Sequence, residues 1–340
     1  MKAAVFYEKE NLKIEELAVP EAGAGQVLIR VHACGICGTD MHIFDGDEGA
    51  APTPSGTVLG HEFAGEVVAV GEGVKSVKIG DRVCVDPNKL CNECEYCKNG
   101  IGHFCENIVG IGTTVNGGFA EYCVVPESQV YPFSEKTSYE AAAMTEPVAC
   151  CLHGIDMCDI NCGDTVAVIG GGMIGLLMVQ LAKLKGAAKL ILIEPVAQKR
   201  ECGKSLGADI LIDPINEDVS AVLAENNIHR IQTVIECVGK VGTIQQAIDI
   251  AGKKSTVMMF GLTKPDAELP IKPFEIFKKE IVLKASYINP YTQQRALTLI
   301  DTGKIDVSSM IYKKISLAEL PAVLADKKER AQGKYIVVPE

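Results

Sequence analysis

Residues 164–195, DTVAVIGGGMIGLLMVQLAKLKGAAKLILIEP, carry the pattern from which the fold class follows. An apolar run at 165–169 has the length of a buried strand, three glycines end it, an apolar stretch of helical length follows, and a second apolar run closes on an acid. Strand, turn, helix and strand in that order make a βαβ unit. Gly170, Gly172 and Gly175 satisfy G-x-G-x-x-G: the first permits the tight turn, the second lets backbone approach a pyrophosphate, and the third lets the helix pack on the strand. The helix amino terminus then faces the phosphates. Glu194 ends the second strand, where a carboxylate can accept both hydroxyls of an adenosine ribose. The stretch therefore predicts a dinucleotide-binding half.

Further strands are expected at ADILIDP (208–214), TVIECVG (233–239), STVMMFG (255–261) and EIVLKASY (280–287), with helices near 196–206, 217–226 and 241–252. Such alternation means a doubly wound parallel sheet, an α/β Rossmann domain. The first 150 residues differ, with short alternating strands such as QVLIRVHACG and FAGEVVAVG between Gly-rich turns, which fits a β-rich, barrel-like domain.

Composition agrees with two domains. The 340 residues exceed what one core usually serves, and 47% hydrophobic with 23% charged residues describes a globular chain without repeats. A net charge of -11 with no basic stripe argues against nucleic acid as a partner. The start, MKAAVFYEKENLKIEE, turns charged too soon for a secretion signal, and glycines break the apolar run 166–182, so a cytoplasmic protein with no membrane partner is expected. In that reducing compartment the 14 cysteines are metal ligands where regularly spaced and small buried hydrophobes elsewhere.

Regular spacing occurs in LCNECEYCKNGIGHFC, residues 90–105, where Cys91, Cys94, Cys97 and Cys105 form C-x2-C-x2-C-x7-C. Four thiolates from short loops can converge on one tetrahedral Zn2+ and leave no position for a substrate, so the site is structural. The iron–sulfur spacing C-x2-C-x2-C-x3-C is shorter at its last step. A second set of ligand types is scattered: Cys37, Thr39, Asp40 and His42 in CGICGTDMH, His61 and Glu62 in GHEFAGEV, Glu146 in TEPVACCLHG. Each alone has an ordinary explanation, such as a core histidine, a buried thiol or a solvated acid. Together they are the kind of set from which a fold assembles a catalytic metal site with an open position.

Taken in order, GICGTDMH, GHEFAGEV, GDRV (80–83), the four-cysteine lobe, GGFAEY (117–122), TEP (145–147) and the glycine fingerprint resemble the zinc-dependent medium-chain alcohol dehydrogenases, in their polyol (sorbitol, arabinitol, butanediol) and threonine dehydrogenase branch. The resemblance covers essentially the whole chain. It implies a GroES-like catalytic domain at 1–150 with the structural-zinc lobe at about 88–106, a Rossmann NAD domain at 151–288, and a return to the catalytic domain at 289–340, with the active site in the cleft between domains. It implies two Zn2+ per chain, the catalytic one held by Cys37, His61 and Glu62 with Glu146 as a further ligand or water-mediated neighbour. Which glutamate binds directly stays open. Asp40 would orient His61 through its other ring nitrogen.

By the same resemblance Thr39 would accept the proton of a zinc-activated alcohol and His42 would pass it to water, while hydride goes to NAD. The ordinary alternative is that Thr39 caps a helix beginning at Asp40 and His42 is an exposed ring. NAD contacts would come from Gly170, Gly172, Met173, Ile174, Gly175, Glu194, Lys199, Cys237 and Gly261. Glu194 would repel the 2'-phosphate of NADP, although Lys199 and Arg200 could offset part of this. Glu146 and VGIGTTVNGGFAEYCVVPE favour polyols over threonine, whose dehydrogenases usually carry an aspartate at the Glu146 position. Ile43 replaces a substrate-contacting tyrosine of animal sorbitol dehydrogenases and Ser286 replaces an arginine, so a pocket of Ile43, Phe44 and Tyr287 suits a shorter secondary alcohol better than sorbitol. A homotetramer is implied rather than a dimer. A zinc-free reductase would not need the ligand set, and a non-catalytic NAD-binding protein could lose it.

Overall fold

The computed structural model describes residues 1–47 and 52–339. They divide into two compact units, Met1–Ala149 with Pro290–Glu340, and Cys150–Asn289.

The second unit is a six-stranded parallel sheet in the order Ile210–Ile212, Lys189–Ile193, Thr165–Ile169, Thr233–Glu236, Thr256–Met259, Val282–Ala285. Numbered along the chain this is 3-2-1-4-5-6, the doubly wound order whose reversal beside the first strand creates a binding crevice. Parallel strands covered on both faces need apolar residues throughout. The first strand, TVAVI, is buried from Val166 to Ile169 accordingly. The helices Ala197–Ser205, Val219–Glu225 and Val241–Ile250 fall where the sequence places them. The strands are shorter than the quoted runs because their last residues turn into the loops at the carboxyl edge.

The first unit is built on β structure, as its alternating segments predict. A seven-stranded sheet runs Val130–Pro132, Arg82–Val85, Glu62–Val70, Gln26–Gly35, Lys334–Val338, Ile311–Ser316, and Tyr122–Pro126 pairs separately with Gln26–Gly35. A three-stranded sheet of Asn11–Glu16, Lys2–Glu8 and Thr57–Val58 completes the walls, and the core between them holds Val27, Ile29, Phe63, Phe119 and Tyr335. The strand Lys334–Val338 lies antiparallel against Cys34 and Gly35, so the last strand of the chain borders the segment that leads into Cys37. No helix among the described residues is long and apolar enough to cross a membrane.

Candidate functional site

Cys37 lies just beyond the strand Gln26–Gly35 and caps the helix Gly38–Asp45. The helix starts two residues before Asp40, so Thr39 is its second residue and not its cap. The third residue, Asp40, takes over the capping work: its Oδ2 accepts the Cys37 N–H at 2.8 Å. Helical spacing then separates two roles. Asp40, Ile43 and Phe44 are buried, whereas Thr39 and His42, three residues apart, share a partly exposed face. Ile43 and Phe44 are packed in the unit's hydrophobic core.

Among the described residues, two groups of candidate metal ligands converge. Cys37, His61 and Glu62 each offer one ligand atom, all within 4.8 Å of one another; Cys91, Cys94, Cys97 and Cys105 do the same with four sulfurs. Glu146 is buried in the helix Thr145–Asp156 and is not a member of the first group.

In the first group His61 and Glu62 are buried and Cys37 is half-buried, and the set is chemically suited to a cation. Glu62 is 0% exposed, and its Oε1 has no hydrogen-bond partner. Its Oε2 meets the ammonium of Lys334, itself buried, which also donates to Ile36 O at 2.9 Å. A Cβ at position 35 would stand 2.2 Å from Glu62 Oε2 and 2.8 Å from Lys334 Cε, so a larger residue there would displace the ion pair. His61 Nδ1 faces Asp40 Oδ1 at 3.4 Å, the arrangement by which a carboxylate fixes the ring of a metal-binding histidine. Burial disfavours the imidazolium, but Asp40 and the Cys37 thiol outweigh it and hold the His61 pKa well above its ordinary value. The Lys334 pKa is likewise raised, burial being outweighed by Glu62 and Cys37. Sequence reasoning missed Lys334. The available signal was a lysine opening the apolar strand KYIVV.

The four-sulfur group fits a closed tetrahedral site. With metal–sulfur bonds of about 2.3 Å the sulfurs of a tetrahedron stand roughly 3.8 Å apart, and Cys91 Sγ and Cys97 Sγ are 3.9 Å apart. Backbone N–H groups of Glu93 and Cys94 donate to Cys91 Sγ at 3.4 Å and bring its thiol down to about 6. They favour the thiolate that a metal requires.

In the second unit Gly170 takes φ +100° and Gly172 caps the helix Met173–Leu184, which carries Met173 and Ile174 at its amino end. A Cβ on Gly175 would lie 1.8 Å from Gly170 O, whereas one on Gly172 would meet nothing within 4 Å. Helix packing thus accounts for Gly175, and open space for close ligand approach remains above Gly172. Glu194 is buried; its Oε2 accepts from Gly171 N–H at 2.6 Å and its Oε1 from Val196 N–H at 2.8 Å. Lys199 is partly exposed. Arg200 is committed, donating to Glu194 O and Pro195 O and pairing with Asp213 at 3.1 Å, so it does not stand ready for a 2'-phosphate. Cys237 and Gly261 follow neighbouring strands, and Tyr287 is 40% exposed. His42 Nδ1 lies 3.0 Å from Asp47 Oδ2 on the first unit's surface.

Residues 23–135 match the family described as alcohol dehydrogenase GroES-like domain, and residues 173–302 match that described as zinc-binding dehydrogenase. D-arabinitol dehydrogenase 1 of Uromyces fabae is 33% identical over 341 residues, 99% of this chain and 97% of that protein. An L-threonine 3-dehydrogenase of Caldanaerobacter subterraneus subsp. tengcongensis is 37% identical over 85% of this chain and 82% of its own. A crystal structure described as a zinc-binding dehydrogenase of Sinorhizobium meliloti 1021 bound to NADP superposes with a TM-score of 0.95 at 38% identity, covering 99% of both chains.

Proposed function

The chain belongs to the zinc-binding alcohol dehydrogenase family with a GroES-like domain, and from that premise we propose that it oxidises a secondary alcohol, a polyol or sugar alcohol, to the ketone with NAD as hydride acceptor. The observation that carries this reading is the convergence of half-buried Cys37 with buried His61 and Glu62, separate from a four-cysteine group that has no ligand position left for a substrate.

Cys37, His61 and Glu62 would hold a Zn2+ that would supply Lewis acidity toward the alcohol oxygen, and NAD bound at the second unit would supply the hydride acceptor. Asp40 holds the His61 ring from its far side and the Cys37 backbone at once, so both ligands are oriented by one carboxylate. Lys334 balances the charge of Glu62 and keeps that side chain in place. The Thr39 hydroxyl would take the proton of the alcohol while giving up its own, by way of the cofactor ribose, to His42, which is on the same helical face, partly exposed, and would release it to water. Glu146 belongs to this reading as a neighbour of the metal through water, since Glu62 is the glutamate within the ligand group. Glu194 selects NAD over NADP, with Arg200 tied to Asp213 and Lys199 on the same helix left for the ribose.

A panel of polyols, short diols and threonine assayed for NADH formation tests the proposal. Turnover of a polyol supports it; turnover of threonine or butanediol alone would replace the substrate class. A fully metallated protein inactive across the panel would leave a non-catalytic binder. Assembly as a homotetramer belongs to the same reading and is checked by the mass of the native protein in solution.

A further inference from the structure

Glu236 is the last residue of the strand Thr233–Glu236, paired in register with Ile169 on one side and Met259 on the other. It is 0% exposed, and no ion pair among the described residues includes it. A buried carboxylate without a cation must be held by hydrogen-bond donors. Its donors come from the loop that follows: Val238 N–H at 2.8 Å and Gly239 N–H at 3.0 Å to Oε1, Gly239 again at 3.2 Å to Oε2, and the Thr243 hydroxyl at 2.8 Å to Oε1. The Glu236 carbonyl meanwhile accepts from Phe260 and Gly261 N–H, both at 2.9 Å, on the neighbouring strand's loop.

The two loops touch backbone to backbone at this point. A Cβ on Gly261 would lie 2.2 Å from Gly239 N and 2.9 Å from Glu236 Oε2, and one on Gly239 would lie 2.2 Å from Leu262 O. The first loop also reaches the glycine turn, since a Cβ on Gly170 would meet Val238 at 2.7 Å. Glu236 therefore bonds two loops directly, and the first of them, through Val238, lies against the glycine turn at the carboxyl edge of adjacent strands, where ligands of such sheets bind.

We propose that Glu236 is a positioning residue for the coenzyme: its carboxylate presets the Cys237–Gly239 loop, and its carbonyl the Phe260–Gly261 turn, beside the glycine-rich turn before coenzyme arrives. This rests on the reading of the second unit as the dinucleotide-binding unit. A loop held in its competent conformation binds at full affinity, and one that is competent only part of the time binds weaker by that fraction.

The test uses the zinc-loaded full chain. Glu236→Gln keeps the shape and one acceptor oxygen but removes the negative charge and turns an NH2 toward a backbone N–H of the loop, and Thr243→Val removes the hydroxyl donor. NADH dissociation constants are measured by fluorescence titration, with steady-state constants and melting temperatures with and without NADH. Glu236→Gln should raise the NADH dissociation constant and the NAD KM by about five- to thirty-fold, with the alcohol KM within about two-fold of wild type. Thr243→Val should show a smaller rise in the same constants. The rise in melting temperature on adding NADH should shrink in both variants, which a purely structural role would leave intact. Variants that melt lower without NADH yet bind it with wild-type affinity would overturn the proposal. A wild type that binds neither NADH nor NADPH would instead overturn the reading of the unit.

Discussion

Lys334 and Glu62 are 272 residues apart in sequence and form a buried ion pair beside the Cys37–His61 cluster. Breaking such a pair leaves one charge in the interior without compensation, at a cost of about 3–5 kcal/mol. Lys334→Met should therefore lower the denaturant midpoint of metal-free protein sharply, and the double variant with Glu62→Gln should recover part of the loss. A double-mutant cycle without coupling would show that the pair does not act as a unit.

The two metal groups should separate functionally. Cys94→Ser removes a ligand of the four-sulfur group, so it should lower the melting temperature and take zinc from two per chain toward one. Cys37→Ser should remove the other zinc and abolish turnover while the fold persists. Elemental analysis and circular dichroism on both variants check this, and equal loss of folding would sink the division.

Proton release by Thr39 requires its hydroxyl. Thr39→Ala should lower kcat by roughly a hundred-fold or more with little change in NAD affinity, and Thr39→Ser should keep most activity. Because Asp40 performs the capping, the alanine variant should keep the helix Gly38–Asp45. A fully active Thr39→Ala enzyme would exclude this route.

Coenzyme preference is assigned to Glu194. A 2'-phosphate about 4 Å from that carboxylate would be repelled by up to about 4 kcal/mol at an effective dielectric of 20, so kcat/KM should favour NAD clearly. Glu194→Ala should narrow the preference and weaken NAD binding together, because the same carboxylate pins the Gly171 and Val196 backbone. A wild type preferring NADP, the nucleotide bound in the Sinorhizobium meliloti structure, would show the assignment to be wrong.

Asp301 ties the helix Gln293–Asp301 to the loop after residue 132. Its Oδ1 accepts from the Ser134 and Thr137 hydroxyls, both at 2.6 Å, and these bonds hold its pKa below the ordinary 3.8. A lowered carboxylate pKa stabilises the fold fully above the unfolded value, and the contribution is lost as pH falls through the folded value. Asp301→Ala should thus lower stability by about 1–3 kcal/mol near neutral pH, and the gap to wild type should close below pH 3.8. Denaturant midpoints across that range would show it; a gap independent of pH would assign the loss to packing.

Much of this protein was legible in its sequence wherever the determining interactions are local. The parallel sheet followed from apolar runs at strand length, the turn at Gly170–Gly175 from the absence of Cβ atoms where backbone meets backbone, and the four-cysteine group from spacing short enough for one loop to close on a metal. Helix boundaries were less legible. The start at Gly38 depends on Asp40 reaching back to Cys37, an alternative that Thr39 offered equally well on sequence alone.

Tertiary structure alone decided the rest. That Cys37, His61 and Glu62 converge while Glu146 stays outside their group depends on how the strands Gln26–Gly35 and Glu62–Val70 pair, which no spacing expresses. The burial of Ile43 and Phe44 depends on which face of a short helix meets the core, and the commitment of Arg200 depends on Asp213 at the far end of another strand. Lys334 is the plainest case. A lysine in an apolar strand has no assigned partner until the sheet brings Glu62 beside it, because a buried charge takes its meaning from the opposite charge that the fold supplies.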